Sequence, residues 1–349
     1  MRRIILDCER MKYPHTGLYH FCYQLGMALQ KKNNPEAFDL SYYIRKKDFG
    51  IFGNKANYIS QYSFHKFLPL FTKSFDIWHA AHQGTQYMPH RKGIKILLTI
   101  HDLNFLHEDR KTDDKKKKEI KKLQNKIDRA DHIVAISNFV LNDIKNNFLL
   151  KDTPTTVVYN GCNIAEPIHA LRPANAPNEK FIYTIGTITD KKNFHVLPSL
   201  LVGNNFHLII SGITHNKNYY NKIIEEAKYH GVERRLSFTH AVTESEKRWY
   251  LQNCEVFVFP SIAEGFGLPV LEAMYFGKPI ILSTHTSLPE IGGEDAFYFN
   301  SFDPEEMRKV LNQCLAEFDD NRSQRLKERC QKFDWNQSAS KYFTIYQNI

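Results

Sequence analysis

The chain has no long apolar run, no paired-cysteine motif and no dinucleotide-binding glycine fingerprint, and each absence removes a class of function. No window of its 349 residues approaches 18 consecutive apolar side chains, so no membrane-spanning helix is expected. Met1-Arg2-Arg3 passes directly into IILDC, without the apolar segment and small residues of a secretory leader. The six cysteines (Cys8, Cys22, Cys162, Cys254, Cys314 and Cys330) are scattered, and none forms Cys-x-x-Cys. That spacing suits neither a disulfide framework nor a zinc site, and it fits a reducing, cytoplasmic setting. Gly-x-Gly-x-x-Gly is missing too, which argues against a dinucleotide-dependent dehydrogenase.

With 42% hydrophobic and 24% charged residues, the composition is that of an ordinary globular protein. The length suggests two domains, each large enough to bury its own core. The formal net charge of +9 is unevenly spread: residues 1–160 carry 27 Lys and Arg against 16 Asp and Glu, the remainder 20 against 22. So basic an N-terminal half suggests an anionic partner, such as a membrane surface, a lipid phosphate or nucleic acid.

The most informative stretch is VFVFPSIAEGFGLPVLEAMYFGKPIILS, residues 256–283. Two short apolar runs, ending at Pro260 and beginning at Pro279, read as strands. Between them Gly265 and Gly267 allow a tight turn and a close backbone approach to a ligand. Pro269 suits the first turn of a helix, and Gly277 suits its end. A helix N-terminus behind a glycine loop attracts anions, because its N–H donors and positive dipole end point outward together. Glu264 in the loop and Glu272 in the helix flank the turn with seven residues between them. A phosphate-favouring loop beside carboxylates suited to hydroxyls suggests a nucleotide-sugar site.

This stretch, PS-x-x-EGFGLPVLEAM-x-x-GKPII, resembles the signature of the retaining glycosyltransferases of the GT-B fold. It is closest to the large family 4 group, which builds bacterial polysaccharides and glycolipids. The resemblance implies an α/β protein of two Rossmann-like domains facing a cleft, with a C-terminal helix crossing back to the first domain. The expected limits are 1–165 for an acceptor-binding domain, 166–332 for a nucleotide-sugar domain, and 333–349 for the returning helix. It also implies that Glu264 contacts hydroxyls of the transferred sugar and Glu272 the ribose hydroxyls. The backbone of Gly265, Phe266, Gly267 and Leu268 would hold the diphosphate.

Taken in order, RRIILDC reads as a first buried strand, residues 13–17 as a loop, and 18–30 as a helix. Gly17 matches a family glycine that lies against the donor phosphate, although the family more often has two; a plain turn is the alternative. Apolar runs at 38–44, 75–79, 95–100, 132–136 and 155–159 alternate with helical patterns, which implies a parallel sheet covered on both faces. Ligands of such sheets collect at the carboxyl ends of the strands. His101 and Asp102 stand there, after LLTI; the family has a histidine in this context that touches donor sugar and phosphate, while Asp102 fixes the loop.

Lys111 to Arg129 is a helix with one narrow apolar stripe (Ile120, Leu123, Ile127) and a lysine-covered face. Either it is a solvated outer helix or it meets an anionic membrane surface. The aromatics Phe49, Phe52, Tyr58, Tyr62, Phe64 and Phe67 suit an acceptor surface, a membrane surface or a core. Ser137 is an expected N-cap, Thr243-x-x-Glu246 an expected capping box, and Asp303 the expected cap of a late helix. The Pro-, Ala- and Asn-rich residues 165–180 read as the linker. In the loop 187–193 the family places cations on the diphosphate. Thr187 replaces its usual arginine, Lys192 matches its lysine, and Lys191 either supports it or is a surface charge. The family's nucleotide base lies near His240 to Val242.

The implied reaction moves a sugar from a nucleoside diphosphate to a hydroxyl with retention, by a same-face mechanism that needs no cofactor. Asp-x-Asp, which metal-dependent sugar transferases place on the diphosphate, does not occur, so no metal is expected. Domain closure would bring Gly17 and His101 onto the donor. GDP-mannose is the favoured donor, with UDP-, ADP- and dTDP-sugars as alternatives, and the acceptor is a glycan or a lipid-linked glycan. The protein would be cytoplasmic, peripheral on the inner face of the membrane if the lysine helix binds lipid. The competing readings are a basic binding protein, an inactive GT-B relative and a sugar phosphorylase of the same fold. No recognisable nucleic-acid module interleaves aromatics and cations, so nucleic acid is not the expected partner.

Overall fold

Alternating apolar strands and amphipathic helices build two parallel sheets in the computed structural model. It describes residues 1–14, 16–67, 70–89, 93–107, 112–164 and 169–349, with the backbone alone at 70, 71 and 107. The chain divides into unit 1, Met1–Gly161 with Asp334–Ile349, and unit 2, Cys162–Phe333. The division falls where the two crossing segments are tied together: Cys162 N donates to the Phe333 carbonyl at 3.0 Å. His15 in the first loop, Lys111 at the start of the basic helix and 165–168 in the expected linker lie outside the described residues.

Unit 1 holds β1 (Arg2–Asp7), β2 (Phe38–Ile44), β3 (Asn57–Ser60), β4 (Ile77–Ala80), β5 (Lys95–Ile100), β6 (His132–Ala135) and β7 (Thr155–Val157). Their order is β3-β2-β1-β4-β5-β6-β7, every pair parallel. The central strands are buried along nearly their whole length, which is why they read as continuous apolar runs rather than alternations. β4 starts two residues later than its apolar run, because Asp76 is engaged at the sheet edge, its Oδ2 accepting from Arg3 N at 2.8 Å. β3 escapes the sequence pattern because it is a half-exposed edge strand.

The helix Trp335–Asn348 belongs to unit 1 and is fastened there by a buried polar chain. His79 Nδ1 lies 2.7 Å from the Tyr346 hydroxyl, His79 Nε2 lies 2.9 Å from Thr99 Oγ1, and Thr99 lies 3.2 Å from the Tyr342 hydroxyl. Arg2 donates to the carbonyls of Tyr346 and Ile349 at 2.8 and 2.7 Å. The six aromatics of residues 49–67 divide. Phe52 is core, stacked on Tyr42 at 4.1 Å, and Tyr58 is half-buried, whereas Tyr62, Phe64 and Phe67 are exposed.

The basic segment forms the helix Asp113–Ile127, burying Leu123 and Ile127 and exposing Lys115, Lys117, Lys118, Lys121 and Lys122. Lys126 turns inward, donating to the carbonyls of Gln83 and Thr85, and burial lowers its pKa to about 8. Among the described residues no helix is long and apolar enough to cross a membrane. All six cysteines are free thiols.

Unit 2 holds β8 (Phe181–Ile185), β9 (His207–Ser211), β10 (Leu236–His240), β11 (Val256–Phe259), β12 (Ile280–Ser283) and β13 (Phe297–Phe299). Their order is β10-β9-β8-β11-β12-β13, again all parallel. One core cluster joins Ile182, Phe194, Leu208, Val256, Ile281 and Met307. The winding reverses between β8 and β11, so the loops leaving those two strands border the crevice where ligands of such sheets bind.

Candidate active site

Both loops at that reversal carry charge. The loop after β8 runs from Gly186 to a single 3-10 turn, Asp190–Lys192, closed by Asn193 in a left-handed conformation at φ 57°. Its approach is tight. A Cβ at Gly212, whose φ is +144°, would lie 1.9 Å from the Gly186 carbonyl oxygen, so only glycine lets the loops after β8 and β9 touch. Ile188 N donates to Ile213 O at 2.9 Å and fixes the same register.

The loop after β11 turns back toward the first. Ile262 N donates to the Lys191 carbonyl at 2.9 Å, and Ser261 Oγ lies 3.0 Å from the same oxygen. Glu264 N donates to Thr286 Oγ1 at 3.0 Å, and Ser287 Oγ donates to Glu264 O at 3.0 Å. Gly267, at φ 102°, then starts the helix Leu268–Tyr275 with Pro269 in its first turn. The turn is left-handed where Gly-Phe-Gly demands it, and a Cβ at Gly267 would press on Leu288 at 2.9 Å.

These two loops place Lys192 against Glu264. Lys192 Nζ pairs with Glu264 Oε1, and Ser261 Oγ donates to that oxygen at 2.6 Å. The lysine also lies 4.7 Å from the centre of the Phe259 ring. Both charged side chains are largely buried, at 12% and 13% exposure. Burial pushes the Glu264 carboxyl up, but Lys192, Lys191 and the two hydrogen bonds outweigh it, and its pKa falls below the ordinary value. The site is therefore an ionised acid and an ammonium held together at a helix N-terminus.

Of the residues singled out in the sequence, unit 2 gathers Lys191, Lys192, Glu264 and Gly265, Phe266, Gly267 and Leu268. Glu272 lies one turn into the helix, buried, with Oε1 accepting from Lys247 Nζ at 2.9 Å. Val242 is half-buried in the turn between β10 and the helix Glu244–Asn253, which opens with the expected capping box of Thr243 and Glu246.

Gly17 and His101 belong to unit 1. Gly17 begins the helix Gly17–Lys32, and among the described residues a Cβ there would meet nothing within 4 Å. None of the described residues of unit 1 demands glycine at this position. His101 is buried, its Nε2 donating to the Ala81 carbonyl at 2.8 Å and its ring edge-on to Phe21. Burial lowers its pKa to about 4, so it is neutral at pH 7, with Nδ1 carrying the lone pair. Asp102 caps the short helix that follows, its Oδ1 accepting from Asn104 N at 3.1 Å.

Residues outside the sequence-based set also join these contacts: Ser261, Thr286, Ser287 and Lys247, and through Lys247 also Glu244. Ser261 stands inside the conspicuous motif, three residues before Glu264, but a serine there carries no signal of its own. Among the described residues no group of three or more His, Cys, Asp or Glu is gathered as metal ligands are.

Comparison with known proteins adds to this geometry. Residues 169–333 match the family model described as Glycosyl transferases group 1, and residues 10–166 match that described as Glycosyltransferase Family 4. The serotype-specific mannosyltransferase WbdA of Escherichia coli is 32% identical over 210 residues, covering 54% of this chain and 25% of WbdA. The chain thus spans only about a quarter of that relative. The O-antigen chain mannosyltransferase B of Escherichia coli is 24% identical, covering 84% of this chain and 85% of that one. The crystal structure of Anabaena HepE in complex with UDP superposes with a TM-score of 0.73 at 16% identity, covering all of both chains. At that identity the likeness speaks for the fold, which is GT-B.

Proposed function

Because this chain belongs to the glycosyltransferases of group 1, family 4, we propose that it transfers a hexose, retaining its anomeric configuration, from a nucleoside-diphosphate sugar to a hydroxyl. The acceptor is a glycan or lipid-linked glycan in cell-surface polysaccharide assembly, at the inner face of the cytoplasmic membrane. The observation that carries this reading is the Lys192–Glu264 pair between the loops of β8 and β11, beside the helix that starts at Leu268.

In this reading Glu264 accepts hydrogen bonds from the sugar and Glu272 from the ribose. Lys192, with Lys191 behind it, offsets the charge that develops on the departing diphosphate, with no metal or other cofactor. The bond from the anomeric carbon to the diphosphate breaks as the acceptor oxygen bonds from the same face, and the departing phosphate oxygen takes the acceptor proton. Neutral His101 offers the donor a ring nitrogen, and Gly17 an unhindered backbone. The likeness to two mannosyltransferases of Escherichia coli supports mannose as the sugar, and GDP-mannose stays the favoured donor of this proposal.

The test is a thermal-shift panel of GDP, UDP, ADP and dTDP with EDTA present. A nucleotide at 100 times its Kd should add about 2.7 kcal/mol of stability. A shift with GDP alone is expected, and no shift with any of the four overturns the reading. With GDP-mannose and an acceptor, NMR of the product should show the donor's own anomeric configuration; inversion would refute the retaining mechanism.

A further inference from the structure

A lysine is almost never buried unless it is paired, and Lys247 is only 7% exposed. It lies in the helix Glu244–Asn253, directly after Glu246 of the capping box. Its Nζ donates to Glu272 Oε1 at 2.9 Å and lies 2.9 Å from Glu244 Oε2. Burial alone would lower its pKa, but the two carboxylates outweigh burial and raise it. The ammonium therefore stays charged at any working pH. Glu244, half-exposed, opens the helix directly after the turn 241–243. One cation thus bridges a buried acid in one helix to the first residue of another.

A lone buried carboxylate has two escapes: it takes up a proton, or it rotates toward water. Either would spoil it as an acceptor for hydroxyls, since charged acceptors make the stronger hydrogen bonds. We propose that Lys247 is the positioning residue of the nucleotide site. It holds Glu272 aimed at the ribose diol and, through Glu244, ties that acid to the turn assigned to the base. The inference rests on the glycosyltransferase reading, in which Glu272 meets the ribose. With Oε1 committed to Lys247, Oε2 is the oxygen that addresses the diol.

The experiment measures Kd by calorimetry for GDP and 2′-deoxy-GDP, or for UDP and 2′-deoxy-UDP if the thermal-shift panel selects uridine. The proteins are wild type, Lys247→Met, Lys247→Arg and Glu244→Gln, each checked by circular dichroism. Wild type should prefer the ribo form by about tenfold, the worth of one hydrogen bond to a charged group. In Lys247→Met the preference should collapse to about onefold, with the donor KM rising about tenfold and kcat changing less than about threefold. Lys247→Arg should restore most of the preference.

A residue that only stabilises the fold would lower the melting temperature and leave the ribo/deoxy ratio at its wild-type value; that result overturns the proposal. Glu244→Gln alters a half-exposed side chain and decides the matter if Lys247→Met does not fold. A ratio reduced twofold or more supports the bridge, and an unchanged ratio refutes it. Wild type that binds no nucleoside diphosphate overturns the underlying glycosyltransferase reading. Wild type that binds both forms equally overturns the assignment of Glu272 and Lys247 alone.

Discussion

Glu264 remains ionised although it is largely buried, because Lys192, Lys191 and Ser261 together outweigh the desolvation of its charge. A group that has to be ionised to work should then keep working on the acid side of the ordinary carboxylate range, about 4.3. The acid limb of kcat/KM is expected below that value, and a limb at pH 5 or above would contradict the pairing. Lys192→Ala and Glu264→Ala should each lower turnover by about 10²–10³ or more, read from initial rates at saturating donor. Lys192→Ala also strands a buried carboxylate, an imbalance that costs about 3–5 kcal/mol, so its melting temperature should fall as well. Glu264 was legible in the sequence because its spacing to the glycine turn and to Glu272 is local. Lys247 was not, since a lysine in a helix rich in Glu, Lys and Arg looks like any solvated side chain. Only the packing of one helix on another turns it inward.

The elements repeat this contrast between local and distant causes. Apolar runs that are buried on both faces gave β2 and β5 their bounds, and cap chemistry placed the helices at Ser137, Thr243 and Asp303. Where an edge strand is half-exposed, as at β3, no periodicity marks it. The cap at Asp303 accepts from the amides of Glu305 and Glu306 at 2.9 and 3.1 Å. Asp303→Ala should therefore cost about 1 kcal/mol in denaturant unfolding while leaving kcat unchanged. The lysine face of Asp113–Ile127 makes a separate prediction. Replacing Lys115, Lys117, Lys118, Lys121 and Lys122 with glutamine should weaken co-sedimentation with phosphatidylglycerol vesicles, by up to about 1 kcal/mol per residue. Turnover on a soluble acceptor should not change. Equal sedimentation of mutant and wild type would make the helix a solvated surface.

At the scale of the molecule, buried histidines make stability depend on pH. Burial lowers His79 to about 3 and His101 to about 4 in unit 1, and His195 to about 4 in unit 2. As pH falls from about 6.5 toward 4, the unfolded chain binds protons that the folded chain refuses, and stability is lost across that interval. Asp7 runs the other way. Burial raises its pKa to about 7, so it favours the fold more as pH falls, offsetting about one histidine. The net expectation is a lower melting temperature at pH 5 than at pH 7, by about 2–4 °C for each kcal/mol lost. A flat or rising melting temperature would contradict these burials.

The helix Trp335–Asn348 gives unit 1 a history as well as a structure. Unit 2 is one unbroken segment, and all of it leaves the ribosome before Tyr342 and Tyr346 do. Until those two hydroxyls arrive, His79 and Thr99 lack half of their buried partners. Within this chain, the unit that begins first is thus completed only after the whole of the other has been made. Unit 2 is free to fold during synthesis, while the sheet of unit 1 waits for the helix Trp335–Asn348.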